Sequence, residues 1–395
     1  MKHLSMLVVA SALLFGTSAC ADATQNTSES QLPAAAGDYF AVPVNAGDVF
    51  EGEDMNYQLD KVADGLGVIW GLAFLPDGTV LATERAGDIR VFRNGVLQDE
   101  PLGGVPDVYA NGQGGLLDIV LHPDYETNGW IYISYSKPGD GGGHTAIMRA
   151  KLDGNSFTDQ EVIFSATPYT DRRQHFGSRI AFDNDGYLYF TIGDRGVMNL
   201  AQDLTSYAGK TFRLYDDGRI PADNPFVGRD DALDEIFTYG NRNQQGMILH
   251  PETGEIWSHE HGPRGGDEIN IMRAGLNYGW PEITYGINYN GSIITEETHR
   301  DGMEQPVLYW TPSIAPSGMA YVSSDRYPAW KGDILSGSLS FQFVNRTVFD
   351  GETVVKEERL AEAIGRVRDV RQAPDGFIYF STDGGQIYRI LPVEG

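Results

Sequence analysis

The sequence predicts an all-β protein folded as a six-bladed β-propeller, and three observations predict it. A strand–turn–strand unit, with an acidic residue and usually a glycine near its turn, recurs six times along the chain. Forty-eight glycines and twenty tyrosines accompany few long helical patterns, a composition of many short strands and turns. Polar residues also recur at one phase of the repeat, a regularity that unrelated hairpins would not produce.

Taken in order, the first nineteen residues, MKHLSMLVVASALLFGTSA, carry Lys2, an apolar stretch and small residues before Cys20, so residues 1–19 read as a secretory signal. "GTSAC" resembles a bacterial lipobox with Thr17 where Leu is usual, and the expected location is periplasmic, either secreted or lipid-anchored to a membrane through Cys20. Cys20 is the only cysteine, so the mature body has no disulfide, no cysteine–zinc site and no thiol nucleophile. Residues 20–40, rich in Ala, Ser, Thr and Gln without apolar periodicity, are expected to form an N-terminal tether. Residues 41–395 show no internal linker and are expected to be one large propeller domain.

The repeating unit appears as GLAFLPDGTVLATE (71–84), GLLDIVLHPDYETNGWIYISYS (115–136), SRIAFDNDGYLYFTIGD (178–194), GMILHPETGEIWSHE (246–260), GMAYVSSDRYPAWKGDILSGS (318–338) and VRDVRQAPDGFIYFSTD (367–383). Each copy supplies two strands of one blade. "DNDG" at 183–186 is similar to the start of an EF-hand loop but lacks its later ligands, and reads as a β-turn. A sandwich of unrelated hairpins is the alternative architecture.

The formal net charge of −26 argues against nucleic acid or an anionic membrane surface as partners, so an anionic ligand would need a local cluster of arginines. The phase of the repeat supplies one. His175 lies ten residues before Asp185, Arg242 ten before Glu252, Gln113 eleven before Asp124 and Arg366 nine before Asp375. Residues just before the first strand of several blades converge on one mouth of the central channel, where ligand sites are built. Arg242, Arg366 and Arg368 then offer planar forks for a ligand with several negative groups, unless they pair with Asp369, Asp375 or other acidic neighbours. His175 is the general-base candidate by residue type, its bland alternative being a polar residue at a strand start.

The stretch SHEHGPRGGDEINIMRAGLNYGWPE (258–282) is the other candidate for chemistry. Gly262-Pro263 gives an irregular loop with free carbonyls, and Asp267, Glu268 and Tyr278 add oxygens, a set that suits calcium. His259 and His261 alternate onto one strand face and raise zinc as a rival, although no third nitrogen or sulfur ligand is evident nearby.

Over about residues 60 to 393 the chain resembles the soluble, pyrroloquinoline quinone (PQQ)-dependent glucose/sorbosone dehydrogenases, of the aldose sugar dehydrogenase type. The resemblance rests on GQGGLLDIVLHPDY, HFGSRIAFDNDGYLYFTIGDRG, GKTFRLYDDGRIPADNPF, YGNRNQQG, EHGPRGGDEIN with NYGWPEITYG, and RVRDVRQAPDG. It implies a six-bladed propeller with PQQ at the channel mouth, and oxidation of the C1 hydroxyl of pyranose aldoses to lactones, with electrons passed to an external acceptor. By the same resemblance His175 is the base, and Arg242 steadies charge near the quinone oxygens. Gln113, Asn243, Tyr289, Ser313, Arg366 and Arg368 are cofactor contacts. The carbonyls of Gly262 and Pro263 hold the calcium beside PQQ, and Glu268 and Tyr278 a second, structural calcium. The chain departs from the family pattern in having Gln174 where glucose-active members have Asp, and no equivalent of a cofactor-facing lysine, Lys331 being the only one near GDILSGSLSFQF. The polar position after IGDRG falls on Asn199 or Gln202. Two rival functions are a calcium-dependent lactonase and a cofactor-free propeller binding module of the cell envelope; monomer and homodimer both remain open.

Overall fold

The computed structural model describes residues 39–40 and 46–393. The expected signal and residues 20–38 of the expected tether lie outside the described residues. Six antiparallel sheets follow one another around a channel, and each of the six sequence units forms the first two strands of one sheet. In chain order the first strands are Ile69–Phe74, Leu116–Leu121, Ile180–Phe182, Gln244–Leu249, Pro316–Tyr321 and Val367–Gln372. Consecutive first strands touch one another, and the last touches the first, so they form the wall of the channel. The expected architecture is the observed one.

Blades 1 to 5 are four-stranded meanders. Blade 6 is assembled from both ends of the chain: Tyr57–Ala63 pairs antiparallel with Ile387–Pro392, and Ala46–Phe50 pairs on outside it. The register sets Asp60 opposite Arg389, whose guanidinium reaches the carboxylate at 2.7 Å. This closure leaves no free sheet edge at the seam where the ring begins and ends.

The strands are apolar on both faces because each sheet is covered on both sides by its neighbours. Six hydrophobic clusters fill the six seams between adjacent blades. In the seam between blades 6 and 1, Tyr39 and Phe40 pack edge-on against Phe74 and Phe92. Residues 39 and 40, at the end of the expected tether, are thus buried against the propeller by their aromatic side chains. Regular helix among the described residues is limited to the short segments Tyr125–Asn128 and Met198–Ala201, and no helix is long and apolar enough to cross a membrane.

The channel is crossed at its waist by charge. Arg179 from blade 3 donates to Asp118 of blade 2 at 3.1 Å and to Asp369 of blade 6 at 2.8 Å. Arg371 donates to the same two carboxylates, at 2.5 and 2.9 Å. The Arg179 guanidinium also lies over the Trp70 ring of blade 1, 4.3 Å from its centroid. One end of the channel beyond this bridge is a hollow of about 380 Å³ of mixed lining, bordered by Leu121, Phe182, Leu249, Tyr321 and Gln372. The other end holds the polar residues singled out by their phase.

Candidate active site at the channel mouth

Two cavities meet at the polar mouth and share Gln113. The first, about 330 Å³, is lined by Gln174, His175, Asp194, Met198, Arg242, Pro263, Trp280 and Tyr289. The second, about 250 Å³, is lined by Arg85, Asn243, Gln245, His261, Arg366, Arg368 and Asp383. The four phase-matched residues Gln113, His175, Arg242 and Arg366 are thus brought together, as the spacing predicts. Each sits where the chain enters the first strand of its blade, and all those strands run in the same direction through the wall.

His175 is held in a costly conformation. Its φ is +55°, in the left-handed region that non-glycine residues seldom occupy. The backbone is fixed there because its N–H donates to Gln113 Oε1 at 2.7 Å, while the Gln113 N–H donates to the Arg173 carbonyl, also at 2.7 Å. Arg195 braces the same turn from below: its guanidinium lies 3.4 Å from the centre of the Phe176 ring and donates to the carbonyls of Gln174 (2.5 Å) and Arg172 (2.6 Å). Gly196 is required beside it, since at φ +73° a Cβ would fall 2.2 Å from the Gln174 amide nitrogen.

The imidazole is oriented by Asp194. His175 Nδ1 lies 2.5 Å from Asp194 Oδ1, which also accepts the Gly196 N–H at 2.7 Å, and Asp194 Oδ2 accepts the Trp280 indole N–H at 2.8 Å. Burial works to raise the Asp194 carboxyl, but the His175 hydrogen bond and charge, with Arg242, hold it below the ordinary carboxylate value. An ionised Asp194 can only accept, so Nδ1 carries the hydrogen and Nε2 keeps its lone pair. Burial, ahead of every other influence, pushes the His175 imidazole below its ordinary value, with Asp194 pulling upward and Arg242 downward. The neutral, proton-accepting form is therefore the resting state at neutral pH.

Arg242 Nη1 donates to the carbonyls of His261 (3.0 Å) and Gly262 (2.9 Å), and its backbone N–H goes to the Glu260 carboxylate. Asn243 uses its side-chain oxygen on the Gly177 N–H at 3.1 Å, and Gln113 uses its own on His175, so each amide has its NH₂ end to offer to the cavity. Arg366 and Arg368 both pair with Asp383, at 2.9 Å each. The bland pairing weighed from sequence thus exists, although with Asp383 and not with Asp369 or Asp375. Tyr289 stands on the rim, 71% exposed.

Other expected contacts are placed elsewhere. The Ser313 hydroxyl donates to Asp267, whose carboxylate also accepts the N–H groups of Gly262 (2.7 Å) and Ala315 (2.8 Å). Ser313 and Asp267 together buttress the 262–267 loop and do not border either cavity. Lys331 is exposed and tied to Asp325 at 2.6 Å; the lining residues from the segment downstream of it are Leu339 and Ser340. Gln202 bonds Asn277 and the Trp280 carbonyl, while Met198 takes the lining position expected of Asn199 or Gln202.

The zinc alternative is overturned. His259 Nε2 bonds the Ser317 carbonyl at 2.7 Å and His261 Nε2 the Pro316 carbonyl at 2.6 Å, so both rings stitch blade 4 to blade 5. Gly246 lets His259 lie flat there, since a Cβ would meet His259 Nε2 at 2.0 Å. Among the described residues no group of three or more His, Cys, Asp or Glu side chains is placed to hold a metal ion. One small cavity of about 10 Å³, the room of a single ion or water, is bordered by Arg242, Glu260, Gly262, Glu268, Tyr278 and Thr284. Burial pushes the carboxyls of Glu260 and Glu268 up; hydrogen bonds from Asn241 and the Arg242 and Asn243 backbone, with the Arg242 charge, partly relieve Glu260, and the charge of Glu260 raises Glu268 further, which a cation between them would ease. The Tyr278 hydroxyl is turned away, committed to the Ile271 carbonyl and the Arg273 N–H, so its phenol oxygen is not the ligand expected from the sequence.

Sequence reasoning missed Arg85, Asp194, Glu260, Trp280 and Asp383 as site residues. Four of the five lie at or just after the end of a second strand: Arg85 after Thr79–Glu84, Asp194 after Leu188–Ile192, Glu260 ending Ile256–Glu260 and Asp383 after Ile378–Thr382. Because the second strand runs antiparallel to the first, its end returns to the same mouth. A second phase was therefore present in the sequence, and it was legible by the same count.

Fold and site together define a β-propeller with an arginine-lined cavity and an oriented histidine at one channel mouth. The chain belongs to the glucose/sorbosone dehydrogenase family, whose model matches residues 66–389. It is 44% identical over 343 residues to the aldose sugar dehydrogenase YliI of Escherichia coli K12, covering 85% of this chain and 92% of that one. The apo structure of the soluble aldose sugar dehydrogenase from Escherichia coli superposes with a TM-score of 0.82 at 41% identity, covering 85% of this chain and all (100%) of the other. The PQQ-bound aldose sugar dehydrogenase from Streptomyces coelicolor gives a TM-score of 0.70 at 28% identity, over 89% of this chain and 100% of that one.

Proposed function

We propose that this chain is a quinoprotein that oxidises the C1 hydroxyl of pyranose aldoses to lactones and passes two electrons to an external acceptor. The observation that carries the reading is the Asp194-oriented His175 opening onto the same mouth as a cavity lined by three guanidiniums. The donor set fits PQQ, a tricarboxylate: Gln113 and Asn243 offer amide N–H groups, and Arg366, Arg368 and Arg85 offer charge. PQQ, when bound, supplies the two-electron acceptor for the C1 hydride.

The chain's own residues do the rest. His175 Nε2 takes the proton of the C1 hydroxyl, so that the C1–O bond can become the lactone carbonyl as hydride departs. Asp194 stabilises the imidazolium that forms and keeps the ring from turning. Arg242, pinned by two loop carbonyls, presents a fixed positive charge to negative charge developing in the cavity. Calcium would be held by the carbonyls of Gly262 and Pro263, the Gly262 oxygen using the lone pair that Arg242 leaves to it, and a second ion would sit between Glu260 and Glu268. A periplasmic location, whether or not Cys20 is lipidated, accords with an acceptor outside the cytoplasm.

The test is dye reduction by the purified chain across a panel of aldoses and disaccharides, with PQQ and calcium added separately and together. Turnover that requires both is the expected result. Turnover without PQQ, or none with any sugar, would remove the quinoprotein reading.

A further inference from the structure

The 250 Å³ cavity is electrostatically unbalanced, and the imbalance is located at one residue that the sequence did not single out. Three guanidiniums, Arg85, Arg366 and Arg368, face a single carboxylate, Asp383. Asp383 is already fully used: it accepts Arg366 Nε at 2.9 Å, Arg368 Nε at 2.9 Å and Arg368 Nη2 at 3.2 Å. The Arg85 guanidinium has no hydrogen bond or ion pair among the described residues, and a surplus of two positive charges is left in a half-enclosed space.

Arg85 is nonetheless firmly placed. Its N–H donates to the Val68 carbonyl at 2.9 Å and its carbonyl accepts the Leu116 N–H at 3.1 Å, so its backbone is tied both to the strand entering blade 1 and to blade 2. Gly115 makes the close approach possible, because a Cβ there would lie 1.9 Å from the Arg85 carbonyl oxygen and 2.8 Å from its Cγ. Burial, then repulsion from Arg368 and Arg366, lowers the Arg85 pKa, with Asp383 giving partial relief. A guanidinium placed by its backbone, repelled by two others and lacking a protein acceptor is available to pair with a bound anion.

We propose that Arg85 is an anion anchor of this cavity, taking a carboxylate of an aromatic polycarboxylate ligand. The assignment rests on the quinone reading above for the identity of the ligand, and on the cavity alone for its charge.

The experiment measures binding, not turnover. The calcium-loaded full chain is titrated with PQQ by equilibrium dialysis, and separately with benzene-1,3,5-tricarboxylate by thermal shift, for the parent, Arg85→Gln, Arg85→Lys and the remote control Arg229→Gln. Loss of one charge-assisted contact raises the PQQ Kd of Arg85→Gln by about 10- to 100-fold and flattens its salt dependence, with Arg85→Lys between it and the parent. The control is unchanged. In ligand-free protein Arg85→Gln melts no lower than the parent, since it removes a cation repelled by two others; this also shows that the variant folds. Equal PQQ binding by parent and Arg85→Gln overturns the anchor and leaves the quinone reading standing. A parent that ignores PQQ but binds the tricarboxylate in an Arg85-dependent way removes the quinone and keeps the anchor. A parent that binds neither removes both.

Discussion

His175 Nδ1 lies 2.5 Å from Asp194 Oδ1, and the other oxygen of that carboxylate accepts the Trp280 indole N–H at 2.8 Å. The three residues come from the start of blade 3, from the end of its second strand and from the long connection within blade 4, so the ring orientation depends on two blades at once. Asp194→Asn keeps the shape but makes the amide able to donate, which favours the wrong imidazole tautomer. The expected outcome is a fall in kcat of about 10²- to 10⁴-fold with the Kd for PQQ and the melting temperature little changed. Steady-state kinetics beside a dialysis measurement checks it; a parallel loss of cofactor binding would show that Asp194 builds the pocket and does not orient the base.

The pH profile follows from the same pair. A general base works unprotonated, so kcat/KM falls as pH drops through the pKa of the free enzyme's histidine. Burial lowers that pKa in His175, the Arg242 charge adds to the lowering, and Asp194 only partly restores it. The acid limb is therefore expected below about 6.5, the ordinary imidazole value. In Asp194→Asn the restoring influence is gone and the limb moves lower still. A limb at or above the ordinary value in the parent would contradict the assignment of His175 as the base.

The paired carboxylates beside the loop predict a response to calcium. Glu260 and Glu268 border a space for one ion, and burial opposes their ionisation in its absence. Calcium at a hundred times its Kd should stabilise the protein by about 2.7 kcal/mol, and a chelator should remove that gain. Glu268→Gln should reduce the calcium-dependent rise in melting temperature to what the loop at Gly262 and Pro263 alone supplies, while leaving the chelated protein at least as stable as the parent. A parent indifferent to calcium would show that this cavity takes no ion.

Repetition is what made the propeller legible: six units with matching turns can bury both faces of each strand pair only against one another. The same repetition located His175, Arg242, Gln113 and Arg366, because equal phase places residues at equal height on the channel wall. What escaped were contacts that repetition does not encode. Trp280 reaches Asp194 from a long non-repeating connection, and no spacing links residue 280 to residue 194. Tyr278 misled in the opposite way: its type suits a cation, but its hydroxyl satisfies the Ile271 carbonyl, a partner visible only once the strand Asp267–Met272 is folded beside it. The pairing of Arg366 and Arg368 was foreseen in kind and missed in partner, since Asp383 comes round from the far end of the hairpin.

The waist of the channel gives the last prediction. Asp118 and Asp369, both fully buried, share the guanidiniums of Arg179 and Arg371, and their carboxylates also accept the backbone N–H groups of Ile180 (2.9 Å) and Leu72 (3.0 Å). Asp118→Ala leaves two guanidiniums on one carboxylate, and a buried pair broken in this way costs about 3–5 kcal/mol. Asp369→Ala should cost a similar amount. The double variant should cost more than the sum, by about 0.5–3 kcal/mol. Each single variant loses attraction to two arginines but is relieved of repulsion from the other aspartate, and that relief is available only once. Urea unfolding of the four proteins closes the cycle. A sum that is additive to within about 0.5 kcal/mol would mean that the carboxylates act separately, and that the ring is held by its apolar seams without a shared ionic bridge.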